Sequence, residues 1–171
     1  MRWIDFIFIH CSAGHANIKA VQAFWHRPKS QGGAGWKIGG YHAWVDYDGT
    51  ITWLYPISQI VNGVLGFNTK GIHIGYRGGV RKDNFKIAED TRTEEQKAGI
   101  LDAIFQIYEE LKLHQPVDHI KILGHRDASP DKNLNGIIEP WERIKECPSF
   151  DAIPEYAWIQ GSVANQRKGI L

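Results

Sequence analysis

The sequence predicts an α/β fold: a single domain in which a mixed central β-sheet is flanked by helices. Three observations carry this expectation. Short apolar runs bounded by turn residues recur at Trp3–Ile9, Tyr41–Val45, Thr50–Leu54, Ile72–Tyr76 and His119–Leu123, the length expected of strands. One long stretch between the last two places its apolar residues at helical spacing. The order βαβββαβ plus a terminal helix is that of a sheet covered by helices.

Each element has its own reason. Trp3–Ile9 is apolar at nearly every position, as in a strand buried on both faces. Ile18, Val21, Phe24 and Trp25 form a helical stripe up to His26, and Pro28 and Gly32-Gly33-Ala34-Gly35 end it. Tyr41–Val45 and Thr50–Leu54 pair as a hairpin about Asp48-Gly49. Ile72–Tyr76 stops at Gly78-Gly79. Thr93 and Gln96 form a capping box for the long helix, with Ile100, Leu101, Ile104, Phe105, Tyr108 and Leu111 on one face. His119–Leu123 leads directly to His125. Apolar periodicity fades after Gln160, so the domain is expected over 1–160 and a loose tail over 161–171.

Bulk properties exclude several classes. A chain of 171 residues with 43% hydrophobic and 23% charged residues can bury a real core. A net charge of +1 gives no argument for a nucleic-acid partner. No apolar run is long enough to span a membrane, and Met1-Arg2-Trp3-Ile4-Asp5 reads as a strand start rather than a signal peptide. Synthesis in the cytoplasm and a monomeric state are therefore expected. The two cysteines, Cys11 and Cys147, are read as free thiols or metal ligands.

The chemistry concentrates at both ends. The apolar run Phe6-Ile7-Phe8-Ile9 ends in His10, and the last third holds Gly124-His125-Arg126-Asp127 and Lys145-Glu146-Cys147-Pro148. Two histidines and a cysteine are the ligand count of a catalytic zinc, which keeps a fourth position for water. Singly, each has a bland reading: a polar residue after a strand, or a small buried thiol. Strand alternation turns His42 away from Tyr41, and Cys11 away from His10, so both are read as structural.

Together the motifs are specific. His10-Cys11-Ser12-Ala13, Gly40-Tyr41-His42, Asp48-Gly49-Thr50, the segment Asn68 to Tyr76 with Gly78-Gly79, Gly124-His125, and Lys145 to Asp151 occur in order. The chain resembles the zinc N-acetylmuramoyl-L-alanine amidases of the T7 lysozyme type, which share a fold with the peptidoglycan recognition proteins. The resemblance covers about residues 4–158. It implies that His10, His125 and Cys147 bind zinc, that Tyr41 faces the metal-bound water, and that Lys145 assists catalysis. The implied reaction cuts the amide between the lactyl group of N-acetylmuramic acid and the first L-alanine of peptidoglycan.

The residue types suit that chemistry. Zinc lowers the pKa of bound water to about 7 and polarises a carbonyl. The Lys145 ammonium can neutralise the oxyanion, and Tyr41 can hydrogen-bond it or the water. The donor of the proton to the leaving amine stays open among the metal-bound water, Tyr41 and Lys145. Trp36, Trp44, Asn68 and His73 are candidate substrate contacts.

Between His125 and Cys147 lie 21 residues, where the family usually has a short spacer. Asp131, Asn133, Asn135, Gly136, Ile137, Glu139 and Glu142 match positions 1, 3, 5, 6, 7, 9 and 12 of a calcium loop spanning 131–142. Pro140 would open a short exit helix carrying Glu142 and Lys145 toward Cys147. Calcium would then clamp that helix against the zinc site.

The sequence thus points to a zinc amidase, of the phage or prophage endolysin kind, that acts on the wall after release. Recycling of cytoplasmic wall fragments and a toxin role fit the same chemistry. The alternative is a recognition module that binds peptidoglycan without cutting it. A cysteine hydrolase using Cys147 with His125, and a calcium-dependent docking module, are further readings.

Overall fold

The computed structural model describes residues 1–167, with side chains through residue 159. Eight regular elements follow the expected order. They are β1 (Phe6–Cys11), α1 (Ile18–His26), β2 (Ala43–Val45), β3 (Ile51–Trp53), β4 (Gly71–Tyr76), α2 (Glu94–Lys112), β5 (Lys121–Gly124) and α3 (Ala152–Arg167). The sheet order is β3-β2-β4-β1-β5, with β3 antiparallel to β2 and the remaining pairs parallel. The single-domain mixed sheet flanked by helices is the architecture read from the sequence.

The strand bounds differ from expectation for local reasons. The first strand begins at Phe6, not Trp3, because the Gln115 side chain takes the main-chain groups of Ile4. It continues through His10 and Cys11, so His10 sits in the strand rather than just past it. Trp3 lies half exposed and stacks on His119.

Strand alternation splits the molecule into two faces. Ile7, Ile9 and Cys11 of β1, Ile72, Ile74 and Tyr76 of β4, and Ala43 and Val45 of β2 join one core beneath α2 and α3. On the other face Phe8, His10, His73 and Tyr41 form a run of neighbouring rings. The candidate site stands on that second face, toward the carboxyl ends of the parallel strands, where open α/β sheets place ligands.

The Thr93–Gln96 capping box is present in both directions, at 3.0 and 3.1 Å. Ile100, Ile104, Tyr108 and Leu111 are buried as expected. Phe105 is not: it turns outward and meets Trp158 edge-on, because the buried stripe runs through Gln96, Ala103 and Ile107. At the C-terminus, α3 crosses the boundary expected at residue 160 and runs to Arg167. The rest of the expected tail, 168–171, lies outside the described residues.

The exit helix after the inserted loop is a single 3-10 turn, Pro140–Glu142. Lys145 is therefore not carried on a helix. The Ile144 amide, which a continuing helix would need, donates instead to Ser129 Oγ at 3.0 Å.

Candidate metal centre and cleft

Two strands and one loop bring the three expected ligands together. His10 is the fifth residue of β1, in register with Gly75 of β4. His125 opens the 3-10 turn that follows β5, and Asp127 Oδ2 fixes that turn by accepting the Gly124 amide at 2.7 Å. Cys147 arrives from the far end of the chain, its carbonyl accepting the Arg126 amide at 2.7 Å. Nδ1 of His125 lies 3.1 Å from Nδ1 of His10, and Cys147 Sγ lies 3.9 Å from the same nitrogen. The ligand atoms of His10, His125 and Cys147 all fall within 4.8 Å of one another, a group of three such donors.

Electrostatics keep the imidazoles in ligand form. Burial holds His10 well below the usual imidazole value, with His73 and His125 adding to the effect. Burial, and then the Lys145 ammonium, lower His125 to about 4. Burial pushes the Cys147 thiol up, so the charge of a bound metal is what would make it a thiolate. The Cys11 amide already donates to Cys147 Sγ at 3.2 Å, a bond that favours the thiolate. The Cys11 side chain is buried in the opposite core, as alternation requires.

A cavity of about 190 Å³ opens on this group, lined by Trp25, Trp36, Tyr41, Asn62 and Lys145 besides the three ligands. Two imidazole nitrogens and a sulfur with room on one side are a borderline-soft, three-donor set suited to zinc with an open position. Tyr41 is half buried, against His10 and Trp25. Its ring covers Gly75, where a Cβ would stand 2.3 Å from Tyr41 Cδ2, so only glycine fits. Burial raises the Tyr41 pKa well above 10, so it is a hydrogen-bond donor. Lys145 is exposed at the rim.

A wider cleft of about 480 Å³ adjoins, lined by Trp36, Asn62, Leu65, Asn68, His125, Ile144 and Lys145 among others. Leu65 and Ile144 are strongly exposed there, and Trp36 moderately so. The Trp36 loop is tied to α1, since His26 Nδ1 bonds its carbonyl at 2.8 Å.

The expected substrate contacts divide. Trp36 and Asn68 line the cleft. Asn68 also spends its Oδ1 on the Val64 amide at 2.7 Å. His73 does not contact the cleft: it is wholly buried, with Nδ1 3.0 Å from His10 Nε2. Trp44 is likewise fully buried. Both are interior because β2 and β4 are central strands covered on this face. Sequence reasoning missed Asn62 and Gly63, which line both cavities from a loop without a motif. Trp25, read as a helix-stripe residue, is a wall of the metal cavity. His42, read as structural, is buried, accepting the His73 amide at 3.0 Å and contacting the Gln59 carbonyl at 2.9 Å.

The 131–142 loop is closed by its own amides. Asp131 accepts from Asn135 and Gly136, at 3.3 and 2.7 Å. The buried Glu142 carboxylate accepts from Lys132, Asn133 and Glu139, at 2.6, 3.3 and 2.9 Å. Among the described residues, Asp131, Glu139 and Glu142 do not converge as a three-ligand group.

Comparisons with known proteins follow the same outline. A family model described as N-acetylmuramoyl-L-alanine amidase matches residues 1–148. An uncharacterized protein of Haemophilus influenzae is 30% identical over 112 residues, 66% of this chain and 87% of that one. The amidase LysC of Clostridium intestinale superposes with a TM-score of 0.58 at 18% identity, covering 91% of this chain and 85% of that one. The Ph2119 endolysin of a Thermus scotoductus bacteriophage gives 0.59 at 18%, covering 96% and 85%. Bumblebee PGRP-SA gives 0.62 at 14%, covering 92% and 83%. At these identities the structural neighbours show a shared fold.

Proposed function

The chain belongs to the N-acetylmuramoyl-L-alanine amidase family, and from that premise we propose that it is a zinc-dependent peptidoglycan hydrolase. Its bond is the amide between N-acetylmuramic acid and the first L-alanine of the stem peptide, and its role that of a phage or prophage endolysin. The observation that carries the proposal is the convergence of His10, His125 and Cys147 beside an open cavity.

His10, His125 and Cys147 would hold the metal. When bound, zinc supplies an acidified water and polarises the scissile carbonyl. The remaining work belongs to the chain's own groups. Tyr41 presents a neutral hydroxyl beside His10, a donor to the attacking oxygen or the developing oxyanion. Lys145 brings positive charge to the same cavity without blocking it. Trp36, Leu65 and Ile144 offer apolar contact to the stem peptide and sugar in the adjoining cleft. No described helix is long and apolar enough to cross a membrane, which suits a substrate met in the wall.

The second reading, a peptidoglycan-binding module without catalysis, is disfavoured by Cys147 and Lys145. Metal content by mass spectrometry, paired with digestion of purified peptidoglycan, separates the two. The proposal expects one zinc per chain and new amino-terminal alanine, lost on chelation and restored by zinc. Binding without zinc and without cleavage would establish the recognition module. Cleavage that survives zinc removal would point to a Cys147–His125 cysteine hydrolase.

Calcium in the 131–142 loop is a separate proposal, supported by the ligand spacing and by Asp131 bracing Gly136. Binding would require Glu142 to exchange its amide partners for the ion.

A further inference from the structure

We propose that His73 is the positioning residue of the metal centre, accepting the outer N–H of His10 and so fixing that ligand's tautomer and aim. The inference rests on the zinc reading and goes beyond it, because His73 supplies no atom to the metal group.

The two nitrogens of His10 face different neighbours. Nδ1 faces His125 Nδ1 at 3.1 Å and Cys147 Sγ at 3.9 Å. Nε2 faces His73 Nδ1 at 3.0 Å. A metal on the Nδ1 side takes that lone pair, so the proton sits on Nε2 and needs an acceptor. Metal-binding histidines usually give this proton to a carboxylate, a carbonyl or water. Here the acceptor is a second imidazole inside the protein.

His73 is held for that task. It is fully buried, stacked on Phe8 at 5.5 Å and 9° and on His42 at 5.8 Å and 12°. Its amide donates to His42 Nδ1, which fixes the main chain beneath the ring. A Cβ on Gly63 would lie 2.2 Å from His73 Nδ1, so the loop above presses directly on the hydrogen bond. With Nδ1 accepting, the His73 proton lies on Nε2, a buried atom with no hydrogen-bond partner. An unmatched buried donor costs stability, and an apolar side chain would remove that cost. The contact with His10 is the compensating gain.

The test compares the full chain with His73→Leu and His73→Asn, whose Oδ1 takes the place of Nδ1. Zinc affinity is read by competition with a chromogenic chelator, the ligand field by the visible spectrum of the cobalt form, and folding by melting of the metal-free protein. His73→Leu should bind zinc about 10- to 100-fold more weakly and shift the cobalt bands, while its metal-free melting point does not fall. His73→Asn should recover most of the affinity. If His73→Leu does not fold, Gly63→Ala displaces the ring without altering its chemistry and should weaken zinc similarly. Zinc bound equally by wild type and folded His73→Leu overturns the positioning role alone. A wild-type chain that binds no zinc overturns the metal reading and this inference with it.

Discussion

The Tyr41 hydroxyl donates to the carbonyl oxygen of Cys11 at 3.2 Å, one residue beyond His10. The phenol is thus tethered to the strand that carries His10, and its one proton is held by that carbonyl until another acceptor takes it.

Tyr41→Phe therefore separates packing from donation. It should lower kcat about 10²- to 10³-fold, the usual cost of one oxyanion donor. Zinc content should stay at the wild-type level. A variant with full kcat would remove Tyr41 from the reaction.

Lys145→Met should lower kcat/KM on purified peptidoglycan by about 10²-fold, by removing positive charge from the cavity rim. Because Lys145 is exposed, the melting temperature should hardly move. Loss of stability with unchanged turnover would assign Lys145 to the scaffold instead.

Trp36→Ala should raise KM with little change in kcat, since the indole lines the cleft beside the ligands without being one of them. Steady-state kinetics on soluble muropeptides reads the split. A fall in kcat at constant KM would place Trp36 in the chemical step.

Acid should weaken the metal-free fold. Burial lowers His42 to about 4 from its ordinary 6.5. The unfolded chain takes up this proton as pH drops through 6.5, and the folded chain does not until about 4. Stability from this group is full above about 6.5 and lost as pH falls toward 4, on the order of 3 kcal/mol. Burial shifts His10 and His73 in the same direction. Melting of the zinc-free protein from pH 7 to 4.5 should show a steady decline, and a flat profile would contradict it.

Calcium should raise the melting temperature if the inserted loop binds it. Glu142→Gln should abolish that response and slow turnover, because the Glu142 turn leads into the segment holding Lys145. Unchanged melting and turnover after selective calcium chelation would leave the loop as a self-closed turn.

Much of this was legible in the sequence. Periodicity located the sheet strands and the Thr93-capped helix, and the ordered motifs picked out His10, His125 and Cys147, which the fold brings within 4.8 Å of one another. What escaped depended on tertiary packing. Phe105 fits the helical stripe by spacing but points away, since a stripe's width does not say where the sheet ends. Pro140 predicts an exit helix that would carry Lys145, and the hydroxyl of Ser129 intercepts the Ile144 amide that such a helix requires. His73 falls in the Asn68–Tyr76 segment and reads there as a substrate contact, because its partner His10 is 63 residues away and meets it only through strand register. Asn62 and Gly63 belong to a loop whose position is set by the elements it joins.

The place of β1 has a consequence for biosynthesis. It precedes the other described strands, yet its hydrogen-bonding neighbours are β4 and β5, completed only at residues 76 and 124. The sulfur of the three-donor group comes later still, at Cys147. A chain that ends between residues 125 and 146 carries His10, His125 and Cys11 but lacks Cys147. On the proposed zinc reading, metal loading would mark a chain that has reached Cys147, and shorter products would lack the sulfur of the group.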